Sequence, residues 1–472
     1  MPIEVRSRYE LPKHTHMMQV PLFPVSFAAL LLATSFAFGK ETAPNFVMIV
    51  TDDQSWVGTS LQIDPADERS KSDYFRTPNI ERLAATGMRF TRGYAPAPFC
   101  CPTRRSLVIG QTPARHIYQR DQENWPKVYR KQLSLPRMLK AANPAYRTAH
   151  FGKWDSRFDG VAPEEMGYDV SDGKTGNSTG GGKGSGGPSA KADPKLAFSM
   201  TKRATDFIQT QVRESHPFFV QVSHYAVHLD IFYRQETYNV EEARAKGQKH
   251  SLPEFAAMTH DVDAAIGQLL DNIKTLGIED NTYIFFLSDN GGRLEVPGQK
   301  KMRLPRNYPL RHGKGSMYEG GLRVPFVVNG PEISAGSVSE VPVSGLDIFP
   351  TIAELAGYEK ELPKTIDGGS LTPLLTNDGR GKVSRQNPFL IFHQAVARKA
   401  QSAIMLGDHK LVKTWATNRL ELFNLSTDVG EKNNLAETAP QKTAELHGLM
   451  KNFFAEVDAE TRKTITKQKQ RK

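Results

Sequence analysis

Residues 45–50 read NFVMIV, and the four residues that follow read TDDQ. An unbroken apolar run of this length predicts a strand buried on both faces, as in the parallel sheets of α/β proteins. Polar residues at the end of such a strand fall in a loop at the carboxyl edge of the sheet, where α/β proteins bind ligands. The segment therefore predicts an α/β domain with a functional site that includes Asp52 and Asp53.

Helical patterns and apolar runs alternate along the rest of the chain. The helical patterns lie at residues 135–142, 194–212 and 253–276, and the apolar runs after them lie at residues 146–151, 218–223 and 282–287. This alternation predicts an α/β fold with a mostly parallel central sheet and helices on both faces. The loops after its strands carry five candidate site residues: Asp52, Asp53, Lys153, His228 and Asp289.

The C-terminal part of the chain has a different pattern. Short apolar alternations with turns at residues 388–413, then LELFNLSTD and a helical pattern, predict a small antiparallel sheet and a final helix. We place a C-terminal subdomain at residues 381–461, after a main domain at residues 40–380. The glycine-rich stretch at residues 173–187 lies inside the earlier alternation, so we interpret it as a loop rather than a domain boundary.

Composition excludes several classes of protein. The 472 residues are 39% hydrophobic and 24% charged, an ordinary globular mixture rather than a fibrous or disordered one. The two cysteines are adjacent, so they cannot staple distant segments together. The net charge is +10, but a tail at residues 462–472 holds six basic residues and no acid. Without that tail the chain is only mildly basic, and no nucleic-acid motif is present, so we expect no nucleic-acid partner.

The N-terminus has the pattern of a targeting segment. Basic residues precede an apolar run at residues 25–38, and Ala37 and Gly39 form a small-x-small cleavage pattern. We predict a signal peptide at residues 1–39 and a secreted or periplasmic protein. The alternative is a membrane anchor, but the apolar run is short for a bilayer span, so we expect no stable membrane span.

Two pairs of oxygen-bearing side chains follow predicted buried strands. Asp52 and Asp53 form the first pair, and Asp289 and Asn290 form the second. Three carboxylates and an amide oxygen suit a hard cation such as calcium or magnesium. Either pair taken alone more often marks a helix cap or a turn than a metal site, since aspartate and asparagine favour both.

Residues 100–110 read CCPTRRSLVIG and contain Cys-x-Pro-x-Arg, with a glycine six residues after the arginine. This segment resembles the signature of the type I sulfatases, in which the first cysteine is oxidised to formylglycine, an aldehyde that hydrates to a geminal diol. The proline must stand two residues after the modified position, so Cys100 fits the register and Cys101 does not. Further segments resemble family motifs in the same order: residues 51–54, 151–154, 217–219 with His228, 288–291, 312–325, 347–351 and 421–425.

The resemblance implies an alkaline-phosphatase-like fold, hydrolysis of a sulfate monoester on a sulfated carbohydrate, and a formylglycine-generating enzyme as maturation partner. It implies one calcium ion, with these ligands: Asp52, Asp53, the residue derived from Cys100, Asp289 and Asn290. It also implies that Lys153 and Lys314 neutralise the sulfate oxygens and that His228 protonates the leaving oxygen. Arg104 would hold the diol and the neighbouring carboxylates.

One position departs from the family pattern. The family block is usually Gly-Lys-Trp-His, but here Asp155 follows Lys153 and Trp154. We expect Asp155 to serve as the base that releases sulfate, and otherwise His150, His224 and His312 are the groups to test. Two other functions stay open: a phosphodiesterase or phosphonate monoester hydrolase of the same superfamily, and a catalytically impaired, secreted glycan-binding homologue.

Overall fold

The computed structural model describes Glu10 and residues 43–116, 125–154, 160–180, 192–395 and 400–459. Three predicted features lie outside the described residues: the signal peptide except Glu10, Asp155, and the basic tail. Residues 181–187 of the glycine-rich loop are also outside them. From Thr42 onward the described residues form one compact unit, so the boundary near residue 381 stays a prediction. Within them, no helix has both the length and the apolar character needed to cross a bilayer.

Fourteen strands are described. They are β1 (Asn45–Thr51), β2 (Met88–Phe90), β3 (Gly93–Tyr94), β4 (Arg147–Gly152), β5 (Val170–Ser171), β6 (Phe218–Ser223), β7 (Thr282–Ser288), β8 (Phe326–Asn329), β9 (Ser337–Ser339), β10 (Val343–Ser344), β11 (Leu390–Gln394), β12 (Gln401–Leu406), β13 (His409–Thr414) and β14 (Arg419–Asn424). Eight of them form the main sheet in the order β5-β4-β6-β1-β7-β8-β2-β9. Strands β5, β4, β6, β1 and β7 are parallel, and β8 runs antiparallel to both of its neighbours.

The described α-helices, numbered in chain order, are α1 (Pro78–Ala85), α2 (Cys100–Ile109), α3 (Trp125–Tyr129), α4 (Leu135–Ala142), α5 (Ala197–Arg213), α6 (Gln235–Glu242), α7 (Pro253–Thr275), α8 (Glu319–Leu322), α9 (Ile348–Leu355), α10 (Thr372–Leu375) and α11 (Pro440–Glu456). The predicted helix at 135–142 is confirmed, and Ser134 caps it by accepting the Arg137 N–H. The predicted helix at 194–212 begins as a 3₁₀ turn and becomes α-helical at Ala197.

Strand β1 explains why helices cover both faces of the sheet. Its side chains alternate, so Phe46, Met48 and Val50 join one buried apolar cluster with α2, α4 and α9. Val47 and Ile49 join a second cluster with α1, α5 and α7. The unbroken apolar run at residues 45–50 therefore reflects two separate cores, one on each face, which confirms the predicted fold class.

The register of the sheet brings four strand ends to one level. Val50 of β1 pairs with Ser223 of β6, and Thr51 pairs with Ser288 of β7. Gly152 of β4 also pairs with Ser223. The residues that follow these ends, Asp52, Lys153, His224 and Asp289, therefore emerge side by side at the carboxyl edge of the sheet.

The C-terminal sheet is the antiparallel meander β11-β12-β13-β14, and α11 packs against it, as predicted. A buried ionic cluster joins this sheet to α8. Nζ of Lys410, on β13, lies 2.8 Å from Oε1 of Glu319 and 2.9 Å from Oε1 of Glu431, and none of the three side chains is exposed to solvent. Because α8 directly follows the segment that carries Lys314, the C-terminal sheet supports that segment.

Candidate active site

The backbone fixes both acidic pairs at the carboxyl edge of the sheet. The Asp52 N–H donates to the carbonyl of Ala226 (2.8 Å), and the Asp289 N–H donates to the carbonyl of Thr51 (3.0 Å). Asp53 has a φ of 62°, a left-handed conformation that aspartate tolerates better than most residues. Its N–H donates to Oδ1 of Asp289 at 3.2 Å. The two loops are thereby tied directly to each other.

Three side-chain oxygens in these loops are buried and accept no hydrogen bond from the described residues. They are Oδ1 of Asp52, Oδ2 of Asp53 and Oδ1 of Asn290. A buried oxygen without a donor is costly, so natural proteins retain such groups where an ion, water or substrate completes them. All three belong to residues that the sequence analysis assigned to a metal ion.

Cys100 is the first residue of α2 and lies beside these loops. Its Sγ and carboxylate oxygens of Asp52 and Asp289 all lie within 4.8 Å of one another. Phe99, the residue before the helix, is extended and supplies no side-chain cap to the first N–H groups of α2. Asp52 also belongs to a second such cluster, with Asp53 and His228, and Asn290 donates to Oδ1 of Asp53 at 2.8 Å. The carboxylate and amide oxygens of these adjoining residues form a donor set that fits a hard divalent cation such as calcium.

Arg104 lies one turn further along α2 and organises the same loops. Its Nε donates to Oδ2 of Asp289 (2.9 Å), and its Nη1 donates to the carbonyl of Lys153 (2.7 Å). Its Nη2 lies 4.0 Å from Oδ2 of Asp52. One guanidinium therefore links three strand ends, which agrees with the predicted contact between Arg104 and the carboxylates.

Two lysines from distant segments of the chain contact the acidic loops. Lys153 follows β4, is fully buried, and its Nζ lies 2.5 Å from Oδ2 of Asp52. Nζ of Lys314 donates to Oδ1 of Asp53. The backbone of the Lys314 segment is held near α2, because the Gly315 N–H donates to the carbonyl of Pro98 (2.9 Å). Both ammonium groups therefore flank the region in front of Cys100.

His228 closes the site on the side of the loop after β6. Its Nε2 lies 3.9 Å from Oδ2 of Asp53, and its Nδ1 lies 2.6 Å from the carbonyl of Leu229. The side chain is 18% exposed, so it can reach both the buried carboxylates and a bound ligand. A contact between Nδ1–H and a backbone carbonyl would leave Nε2 as the nitrogen that faces the site.

The charges in the site shift the acidities of its groups. Burial, followed by the charge of Asp52, raises the pKa of Asp289 to about 7. Burial alone would also raise the pKa of Asp52, but the charges of Lys153, His228, Lys314 and Arg104 hold it well below its usual range. A divalent ion at this point would relieve the repulsion among the carboxylates.

The other histidines named from the sequence lie in different surroundings. His150 is buried on β4 between the edges of Trp154 and Tyr168, with ring centroids 5.0 Å and 5.6 Å away. His224 is buried, and its ring nitrogens accept or donate no hydrogen bond among the described residues. His312 is exposed and stacks on Tyr318 at 5.0 Å. Asp155, the predicted base, lies outside the described residues.

One buried lysine that interacts electrostatically with Asp52 was missed by the sequence analysis. Lys195 is 3% exposed, and its Nζ lies 5.0 Å from the ring centre of Phe232, four residues after His228. Burial lowers its pKa to about 8, and the charge of Asp52 partly opposes this shift. Lys195 and Leu196 have φ values of 58° and 54°, strained conformations for residues other than glycine. No motif or spacing in the sequence marks this lysine.

Comparison with known proteins agrees with this arrangement. Residues 44–358 match the family model described as Sulfatase, and residues 311–460 match the one described as N-sulphoglucosamine sulphohydrolase, C-terminal. A sulfatase of Formosa agariphila is 28% identical, covering 92% of each chain. The mouse N-acetylgalactosamine-6-sulfatase is 27% identical over 83% of this chain and 76% of its own length.

The fold has close relatives among solved structures. The structure described as Ps i-CgsB in complex with k-i-k-neocarrahexaose superposes with a TM-score of 0.71, covering 87% of this chain and 93% of its own, at 24% identity. At that identity the likeness concerns the fold, which is that of the alkaline-phosphatase-like superfamily. The match over residues 44–358 spans most of the chain. The chain belongs to the sulfatase family and is a sulfuric ester hydrolase.

Proposed function

We propose that the protein hydrolyses sulfate monoesters of sulfated carbohydrates, using a formylglycine derived from Cys100 and one calcium ion. The observation that carries this proposal is that carboxylate oxygens of Asp52 and Asp289 lie within 4.8 Å of the sulfur of Cys100. In the same two loops, Asp52, Asp53 and Asn290 each keep one buried oxygen that accepts no hydrogen bond from the described residues. When present, the aldehyde hydrate supplies a nucleophile, and the ion acts as a Lewis acid toward sulfate oxygens. The ligand set proposed for the ion is Asp52, Asp53, position 100, Asp289 and Asn290.

The remaining residues supply charge and a proton. Lys153 and Lys314 flank the site and can stabilise the charge that develops on the sulfate oxygens. Arg104 keeps Asp289 and the end of β4 in place through its contacts with both. His228 presents Nε2 to the site, and in its imidazolium form it can give the Nε2 proton to the leaving sugar oxygen and become neutral, with Nδ1–H still donated to the carbonyl of Leu229. Asp155 stays the predicted base for sulfate release.

The names of the relatives suggest which carbohydrates to test first. One relative is named for N-acetylgalactosamine 6-sulfate, and one solved neighbour holds a carrageenan-derived hexasaccharide. Both are sulfated sugars of the galactose series. We therefore propose carrageenan and chondroitin 6-sulfate oligosaccharides as the first candidate substrates, met outside the cytoplasm after removal of residues 1–39.

The decisive experiment uses protein matured together with a formylglycine-generating enzyme. Hydrolysis of 4-nitrophenyl sulfate is compared with that of bis(4-nitrophenyl) phosphate, and sulfate release is then measured from carrageenan and chondroitin 6-sulfate hexasaccharides. We expect the aryl sulfate to be preferred and one hexasaccharide to be desulfated. A preference for the phosphate diester would instead favour the phosphodiesterase alternative. Calcium binding without turnover of any sulfate ester would favour the glycan-binding alternative.

A further inference from the structure

An open cavity of about 590 Å³ lies between the segment that leads to Lys314 and the C-terminal sheet, and its lining residues have none of the catalytic or metal-binding roles proposed above. The segment at residues 294–312 forms one wall, and residues of the C-terminal sheet and the turn after it form the other. Leu294 follows Asn290 by four residues, and His312 precedes Lys314 by two. Because two residues of extended chain span at most about 7 Å, the wall that contains His312 is adjacent to Lys314.

The lining of this cavity is basic. Arg311, Arg419 and Lys432 contribute cations, with His312 next to them. The Arg419 side chain is 58% exposed and Lys432 is also exposed, so both reach solvent at the rim. The cavity also has an apolar surface from Phe423 and Leu310.

The two carboxylates in the lining are already neutralised within the protein. Glu421 accepts from Arg311 (3.3 Å) and from Arg419 (2.5 Å), and also from the hydroxyl of Tyr318. Glu431 is held by the buried Lys410 and by the Glu319 N–H (2.7 Å). Arg311 and Arg419 share the single carboxylate of Glu421, so one of their two positive charges is not balanced by it. Together with Lys432, this leaves a net positive charge over an apolar surface in the cavity.

We propose that this cavity is a second saccharide subsite, which binds an anionic sugar next to the sugar that carries the scissile sulfate. The inference rests on the proposed function and extends it to a substrate with more than one charged sugar. Apolar surface with a few convergent polar groups is typical of ligand pockets, and the cations supply recognition of sulfate or carboxylate groups. The C-terminal sheet would thus take part in substrate selection.

The test compares the wild-type enzyme with the double variant Arg419→Gln, Lys432→Gln. Each exposed charge contributes up to about 1 kcal/mol, so we expect about a tenfold rise in KM for the carrageenan or chondroitin 6-sulfate hexasaccharide that the enzyme accepts. The kcat for that hexasaccharide and the kinetics on 4-nitrophenyl sulfate should not change. The matched control is Lys202→Gln, Arg213→Gln, which removes two charges, 74% and 71% exposed, from α5. It should behave as wild type.

Calorimetric titration of both hexasaccharides separates this inference from the proposed function, because binding does not require turnover. Tenfold weaker binding by the cavity variant than by the control would support the subsite even if no sulfate ester were hydrolysed. Equal hexasaccharide affinity and KM in wild type and cavity variant, with normal aryl sulfate hydrolysis, would overturn the subsite and leave the sulfatase proposal standing. An equal loss in the cavity and control variants would also overturn it, since general surface charge would explain the result.

Discussion

Arg104 binds Asp289 through a single carboxylate oxygen. Its Nε and Nη2 lie 2.9 Å and 2.8 Å from Oδ2, while Oδ1 accepts the Asp53 N–H at 3.2 Å. The arginine therefore orients the carboxylate through Oδ2 and leaves Oδ1 to the loop that carries Asp53. A lysine offers a point charge instead of this planar arrangement of donors.

We accordingly expect Arg104→Lys to weaken calcium binding and lower kcat by about 10- to 100-fold, as is usual when a group that orients metal ligands is replaced. Chelator competition and aryl sulfate kinetics measure the two effects. Arg105→Lys is the matched control, because Arg105 is equally buried but lies over Tyr129, 5.2 Å from the ring centre. An unchanged calcium affinity in Arg104→Lys would contradict the positioning role.

The two adjacent cysteines should respond in opposite ways. Cys100→Ala removes the proposed nucleophile and should abolish turnover, and peptide mass spectrometry should show formylglycine at position 100 in the active wild-type enzyme. Cys101→Ala should keep the modification and nearly full activity, at a cost of about 1 kcal/mol in stability for a small buried side chain. Active enzyme with an unmodified thiol at position 100 would rule out this chemistry.

Calcium should stabilise the fold as well as support catalysis. An ion at one hundred times its Kd adds about 2.7 kcal/mol to the free energy of unfolding, so EDTA should lower Tm and added calcium should restore it. Asp53→Asn keeps the shape of the side chain but lowers its charge, and should weaken this response. The alternative, that the carboxylates are held only by Lys153 and Lys314, predicts the same Tm with calcium and with EDTA.

Acid should destabilise the protein through its buried histidines. Burial, assisted by the charge of Arg104, lowers the pKa of His150 from 6.5 to about 3. Below pH 6.5 the unfolded chain therefore binds a proton that the folded chain does not, and stability falls by about 1.4 kcal/mol per pH unit for this group. Above pH 6.5 both states are neutral and the effect is absent. The free energy of unfolding, measured by urea titration at several pH values between 5 and 7, should change less with pH in His150→Gln than in the wild-type protein.

The contribution of Lys195 to activity, which the sequence did not predict, can be tested by substitution. Its charge interacts with Asp52, and it packs on Phe232 beside the loop of His228. Lys195→Met should reduce kcat/KM for 4-nitrophenyl sulfate by at least about tenfold, because the variant lacks a buried positive charge that attracts the anionic substrate. Lys195→Arg should retain more activity, and the exposed Lys202→Met is the control. If Lys195→Met changes only Tm, the lysine has a structural role alone.

Much of the fold could be predicted because local patterns and tertiary structure agree. The strand at 218–223 and the helix at 135–142 have the bounds that their apolar patterns predicted. The acidic pairs meet because parallel strands end at the same edge of a sheet. The short strands β2 and β9 had no comparable signal, since three residues are too few to show a period.

The parts of the site that could not be predicted depend on contacts between distant segments. Lys195 is buried and interacts electrostatically with Asp52, and it lies in a segment of positive φ that no motif in the sequence marks. The link between Glu319 and Lys410 joins residues 91 positions apart, and either residue alone is an ordinary surface type. Such pairs become visible only once the chain is folded.

The burial of Cys100 also limits when another enzyme can modify this residue. The residue is 7% exposed at the start of α2, so another enzyme's active site cannot enclose it after folding. Asp52, one of its neighbours, precedes it, but Asp289, the other acidic neighbour, comes later in the chain, and the C-terminal sheet begins about 290 residues after it. At 5–20 residues per second, synthesis of that stretch takes roughly 15 to 60 s. Any maturation of this cysteine therefore has to occur while the chain is still being made or exported, before its own C-terminal half closes the site.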